Sequence, residues 1–125
     1  MNKKGFTLVE VIVVAVIVAV LAAVAIPLYL GYITSSKANV ANNTANACAT
    51  YLAAARNSSS GTPTVTGFAA SIAPGTVLSY TPTGGAAVTF TVPTLATLTT
   101  TGSLAAGGTV ACTYDGTAGG NTYPY

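Results

Sequence analysis

Six side chains carry charge in this chain of 125 residues: Lys3, Lys4, Glu10, Lys37, Arg56 and Asp115. There is no histidine, so no imidazole is available as a base. The two acids stand at opposite ends of the chain, which gives no paired carboxylates for acid–base work. Two cysteines, Cys48 and Cys112, without a histidine make no zinc set. The Gly-Gly pairs at 84–85, 107–108 and 119–120 sit in Thr/Ala-rich surroundings and form no phosphate-cradling loop. A site of serine, threonine and tyrosine alone has no support in the sequence. The chain therefore reads as no enzyme, with no cofactor, no metal and no small-molecule substrate. One group stands out. Glu10 places a carboxylate at the mouth of an apolar run, where a charge costs up to ~3 kcal/mol and marks a functional position by default. The bland alternative is a carboxylate that snorkels to lipid headgroups.

The element that positions Glu10 is the run itself. No charged side chain occurs from Val11 to Ile33. As a helix these residues would span roughly 35 Å, enough to cross the hydrocarbon of a bilayer. Lys3 and Lys4 precede the run and, by the positive-inside bias, hold that end in the cytoplasm and send everything after Ile33 to the other side. Phe6–Leu30 is read as the apolar helix. Pro27 removes a backbone donor and predicts a kink or local opening around Val24–Pro27, and Gly31 loosens the same region. From Leu28 to about Asn57 the helix continues with an apolar face of Ile33, Val40, Ala47, Cys48, Tyr51, Leu52 and Ala55. Arg56 suits its negative end, and Ser58-Ser59-Ser60-Gly61-Thr62-Pro63 stops it. Unbroken, such a helix would run roughly 75–80 Å.

Beyond residue 60 the composition turns to Thr, Gly, Ala and Val, which favours strands and turns. Val77–Thr83 and Ala86–Val92 read as a hairpin around Gly84-Gly85, with Val88, Phe90 and Val92 on its buried side. Thr109–Tyr114 reads as a strand with Val110, Cys112 and Tyr114 on one face. Thr94–Thr101 is read as a further strand or an exposed loop, Pro63–Ala73 as holding a short helical turn, and Gly116–Tyr125 as irregular. Cys48 and Cys112 both face inward if the sheet packs on the helix, either as a disulfide or as two buried thiols. In a head outside the cytoplasm the disulfide is expected.

Lys-Gly-Phe-Thr-Leu-Val-Glu, followed by about twenty apolar residues and a proline, resembles the N-terminus of bacterial type IV pilins and the related pseudopilins. The resemblance covers roughly residues 1–57, and the first ten carry most of its specificity. It implies cleavage between Gly5 and Phe6 by a membrane-embedded prepilin peptidase, with N-methylation of Phe6. It also implies that Glu10 neutralises the new amine of a neighbouring subunit during assembly. The physics agrees: amine and carboxylate are each costly in hydrocarbon, and together they offset one another's desolvation. In a common pilin pattern both cysteines lie in the C-terminal part; here Cys48 is on the helix, which puts a disulfide-bounded adhesive loop in doubt. Phe6, Tyr29, Tyr32 and Tyr51 lie along the helix. Electron transport has been proposed for some relatives, whereas Tyr29 and Tyr32 suit a membrane interface.

The expected fold class is α+β: a long N-terminal helix, half membrane or filament core, packed on a small antiparallel sheet. The segments would be a cleaved leader (1–5), a hydrophobic transmembrane or filament-core helix (6–30), an amphipathic continuation (31–60) and a β-rich head (61–125). Removing Lys3 and Lys4 takes the formal charge from +2 to 0, leaving no basic patch for nucleic acid. The expected protein is a major type IV pilus subunit, a homo-oligomer in a helical filament. It would begin as an inner-membrane precursor, engage the pilus assembly machinery, and end as a surface filament for adhesion or motility. A type II secretion pseudopilin is the first rival, although its acidic calcium-binding head would need more than Asp115. The second is a secreted β-rich binding protein behind an ordinary signal peptide, cut after Ala23-Val24-Ala25 to begin at Ile26. Against it stand Glu10 inside the apolar run and the length of that run.

Overall fold

A computed structural model describes residues 5–58 and 64–125. It has one helix, α1 (Leu8–Ser58), and seven short strands: β1 (Ser71–Ile72), β2 (Val77–Tyr80), β3 (Val88–Thr91), β4 (Ala96–Ser103), β5 (Gly107–Tyr114), β6 (Thr117–Ala118) and β7 (Tyr123–Pro124). This is an α+β arrangement of one long N-terminal helix packed against small antiparallel sheets, consistent with the pilin fold. The described chain divides into two compact units, one up to Thr34 and one from Ser35 to Tyr125.

In the first unit the described residues from Leu8 onward are helix. Its side chains are exposed almost throughout, with Val11 to Ile26 each at least half uncovered at the large aliphatic positions. α1 is long and apolar enough here to cross a membrane. The helical assignment runs unbroken through Pro27. Thr34 Oγ1 donates to Leu30 O at 3.0 Å, a local bond that keeps a polar hydroxyl satisfied on an apolar stretch.

In the second unit the later turns of α1 pack against the sheets. The buried helix positions are Ala41, Thr44, Ala45, Cys48, Ala49, Leu52 and Ala55. This corrects the expected face: Cys48, Leu52 and Ala55 are on it, but Val40 and Ala47 are exposed and Tyr51 is half-buried. Alanines at 41, 45 and 49 are fully or almost fully covered there. Tyr51 instead reaches over the edge and donates from its hydroxyl to Val88 O at 3.0 Å. Its ring meets Tyr80 edge-on at 5.1 Å and Phe90 at 5.6 Å.

The main sheet has the order β1-β4-β5-β6, with β7 also on β5; β2 and β3 form a separate pair. Leu98, Val110 and Cys112 turn inward from β4 and β5 onto Leu52, Ile72 and Leu78. Burying each such aliphatic contributes ~1.5–3 kcal/mol. Thr100 is buried too, and its hydroxyl donates to Ala69 O at 2.7 Å. Of Thr94–Thr101, the part from Ala96 resolves as strand, and Thr94 and Leu95 form a turn before it: β4 is inside the sheet, and its odd-numbered threonines point outward while Leu98 and Thr100 point in.

The β2–β3 hairpin forms, with a register one residue away from a two-residue Gly84-Gly85 turn. Leu78 pairs with Phe90 and Tyr80 with Val88. The tighter turn would have set Leu78 against Thr91; the observed register keeps apolar side chains opposite one another, and the loop takes up the difference. Two expectations fail. No helical turn occurs at 64–73, where Thr66 bridges Ser79 and β1 pairs with β4 (Pro63 lies outside the described residues). The tail is not irregular: β6 and β7 cover the outer edge of β5, which would otherwise present unpaired backbone groups. The expected stop at 59–63 lies outside the described residues; α1 ends at Ser58, whose hydroxyl donates to Ala55 O at 3.2 Å.

Candidate functional site

The start of α1 is a capping arrangement. Thr7 is the residue before the helix, and its Oγ1 accepts from the Glu10 backbone N–H at 3.3 Å. Val11 N–H donates to Thr7 O at 3.3 Å, closing the first turn. Thr-x-x-Glu ahead of an apolar run is the capping-box spacing, legible in the sequence and missed there. Two features accompany the cap. Gly5, Phe6 and Thr7 are non-helical and exposed, so the Gly5–Phe6 peptide bond lies outside the helix, where a peptidase can reach it. And the return half of the box is not made, since the Glu10 carboxylate does not accept from the Thr7 N–H. Among the described residues that carboxylate has no partner.

Around Glu10 the surface is apolar. Phe6, Glu10, Val11 and Val14 line a shallow cleft of about 310 Å³. Phe6 itself is 84% exposed, a large aromatic with nothing of its own chain to cover it. A carboxylate rimmed by aliphatic side chains at a helix N-terminus can accept a cation, and a primary or methylated amine delivered in an apolar setting would be such a cation. Pro27 and Gly31 both lie within α1, and a Cβ added at Gly31 would meet open space.

In the head the charged groups are spent locally. Lys37 Nζ meets Asp115 Oδ2 at 2.5 Å, and Arg56 donates to Tyr125 O at 3.3 Å. The Lys37–Asp115 pair had no sequence signal, since 78 residues separate the partners. Asp115-Gly116 did have one. Both residues adopt positive φ, 46° and 77°, and join Tyr114 to Thr117 in a two-residue turn of the kind Asp-Gly favours.

Cys48 and Cys112 are both buried thiols in one core cluster. Burial pushes the Cys48 thiol up to about 12, and the neighbouring Cys112 adds to the rise. Burial also raises Cys112. Tyr51 and Tyr125 are raised as well, each first by burial. Among the described residues no group of three or more His, Cys, Asp or Glu side chains could hold a metal.

Residues 1–26 match the model of the prokaryotic N-terminal methylation motif. This is the class III leader of type IV pilins, and the long N-terminal apolar helix fits it. The motif supports a protein of the type IV pilin or pseudopilin kind. It implies processing by a prepilin peptidase and assembly into a filament. The leader and apolar helix are consistent with a membrane-anchored precursor and a surface filament. No curated protein and no solved structure matches the chain.

Proposed function

We propose that this chain is the major subunit of a type IV pilus. It is cut between Gly5 and Phe6, methylated on the Phe6 amine, and held in the inner membrane by residues 6–30. It then polymerises into an extracellular filament for adhesion, surface motility or both. The observation that carries this reading is the methylation motif at residues 1–26, on a chain whose Gly5–Phe6 bond is exposed just ahead of a capped helix.

The chain's own residues supply the steps. Thr7 fixes where the helix starts, leaving Gly5 and Phe6 outside it for hydrolysis. Hydrolysis leaves a carboxylate on Gly5 and an amine on Phe6; methylation keeps that amine basic. The Glu10 carboxylate of one subunit pairs with the Phe6 amine of the next, so each incoming helix stops at one register. Pro27 and Gly31 give the helix local freedom as it leaves the membrane. The head carries Lys37, Arg56 and Asp115, with Lys37 and Asp115 paired, so heads can crowd without strong repulsion.

Mass spectrometry of the mature N-terminus is the first test, with N-methylated Phe6 expected. An N-terminus at Ile26 would overturn the pilin reading. The second is imaging of sheared surface filaments and identification of their subunit by mass. Processed protein whose short filaments stay in the periplasm would make the chain a pseudopilin instead.

A further inference from the structure

We propose that the open edge of β3 pairs with the β3 edge of a second copy, joining two heads across a two-fold axis into one four-stranded sheet, β2-β3-β3-β2. The pairing needs only the head. Its consequence for filaments rests on the reading above.

Backbone parity defines the edge. Ser79 of β2 exchanges both its backbone bonds with Thr66, on the side of β2 away from β3, at 2.9 and 3.2 Å. Ser79 therefore has none left for its β3 partner Thr89, and that pair is of the non-bonded kind. The two kinds alternate along an antiparallel ladder, so Val77 and Thr91, two residues on, are non-bonded as well. The N–H and C=O groups of Thr89 and Thr91 accordingly point out of the hairpin. Among the described residues no group receives them, and both threonines are exposed. Such an edge is a template for another strand. β5 has its outer edge covered by β6 and β7, whereas β3 has neither a charged residue nor a covering strand on this side.

The occupant follows from what the edge and its surroundings match. Beside the edge a groove of about 300 Å³ runs between β3 and α1, lined by Val40, Asn43 and Ala47 on the helix and by Phe90 and Pro93. Phe90 lies opposite Leu78 and so turns to the α1 side of the hairpin, where its half-buried ring meets Tyr51. Lys37, Arg56 and Asp115 are the charged side chains here, and none lines the groove. An uncharged edge and groove match an uncharged strand that brings an aromatic ring, and β3 is itself such a strand. Turned about a two-fold axis at Phe90, a second β3 runs antiparallel and sets its Thr91 against Thr89. Each Thr89–Thr91 pair then exchanges two bonds, so every free group on both edges is taken up. Phe90 faces Phe90 of the copy in a non-bonded pair, where side chains stand closest, and each ring comes to the groove of the other head. A shift of two residues one way would set Thr89 against Pro93, which has no N–H. The same shift the other way would draw on Ala87, outside β3. A contact of this symmetry closes at two copies. It adds nothing to the length of a filament; it ties subunits of separate filaments side by side.

The test uses the full processed chain, in sheared filaments and in detergent extracts, carrying Phe90→Cys and mildly oxidised. In the proposed register the two Cα atoms stand ~4.5 Å apart, inside the span a disulfide accepts. Peptide mapping of mixed isotope-labelled and unlabelled chains should find a dimer linked from residue 90 to residue 90. Thr99→Cys, exposed on the main sheet, should stay monomeric. Absence of the 90–90 link, or an equal yield from Thr99→Cys, would overturn the pairing. If Phe90→Cys does not fold, Thr89→Cys and Thr91→Cys decide. Mixed, they should link to one another, while either alone should not; a mixture that stays monomeric counts against the pairing.

Thr89→Pro, added to Phe90→Cys, removes an N–H that bonds nothing within the hairpin, so the head should still fold. It takes two bonds from the paired edges and should weaken the pairing about tenfold. An unchanged yield of link would overturn the register. In the otherwise unaltered chain, Thr89→Pro should leave filaments lying singly in electron micrographs where those of the wild type lie in bundles. Slow hydrogen exchange at Thr89 and Thr91 without any 90–90 link would give the edge to a foreign strand and overturn the second copy as its occupant. The N-terminal peptide of the same digest reports the Gly5–Phe6 cleavage separately. Linked dimers without that cleavage would sink the pilin reading alone, and cleaved, assembled chains without the link would sink the pairing alone.

Discussion

Raising the pH should weaken the reduced head far more than the oxidised one, and Cys48 supplies most of the difference. In the folded state its thiol is pushed from 9.0 to about 12, by burial first and by Cys112 second. A group raised in the folded state contributes stability that is fully present below its unfolded value. That stability is lost as pH climbs through the folded value, because only the unfolded chain releases the proton in between. The window here is therefore about pH 9 to 12. Within it the slope should approach ~1.4 kcal/mol per pH unit, and the full loss approach ~4 kcal/mol. Against a total stability of ~5–15 kcal/mol for a domain, that is enough to shift urea midpoints visibly by pH 11. Cys112, Tyr51 and Tyr125 are raised too and act with the same sign, so the wild-type curve alone does not isolate Cys48. Cys48→Ala does: it shifts the baseline through lost packing and removes one titrating proton. Urea unfolding of the processed chain in detergent, from pH 7.5 to 11 with reductant, should show a gap between wild type and variant that narrows as pH rises. The oxidised wild type has no thiol to titrate and should lack that share of the slope. Parallel curves for reduced wild type and Cys48→Ala, within ~0.5 kcal/mol throughout, would refute the burial argument.

Glu10→Ala should leave membrane insertion unchanged or easier and abolish filaments. Leaving the Phe6 amine buried without its partner costs ~3–5 kcal/mol per subunit added, a rise of over a hundredfold in the critical concentration. Abundant filaments counted by electron microscopy would exclude this carboxylate as the assembly contact. Gly108→Ala should destabilise the head by ~2–4 kcal/mol in urea unfolding, because a Cβ there would overlap Thr101 O, forcing β4 and β5 apart and disturbing the Tyr125 hydroxyl bond to Thr101 O. Gly116→Ala, whose Cβ would meet open space, should cost only the ~1–2 kcal/mol of its left-handed backbone. Lys37→Ala should change stability by less than ~1 kcal/mol, since both partners of its ion pair are partly exposed.

Much of this protein is written locally. The apolar run, the Thr7–Glu10 cap and the exposed Gly5–Phe6 bond depend on residues within a few positions of one another, so they were open to reading from the sequence. The cap is carried by Thr7 as an acceptor, a signal masked in the sequence by the charge of Glu10. The alternation in β3 and β5 is likewise local and gave two strands and the inward face of Cys112. What the sequence could not settle is which helix face meets the sheet. Val40 and Ala47 are as apolar as Ala41 and Ala45, and only the closure of the head decides which of them is covered. Periodicity could not give strand order, the Lys37–Asp115 pair, or the tail's place along β5 either. Each joins residues far apart in sequence, whose meeting is decided by closure of the whole head and not by the propensity of any one segment.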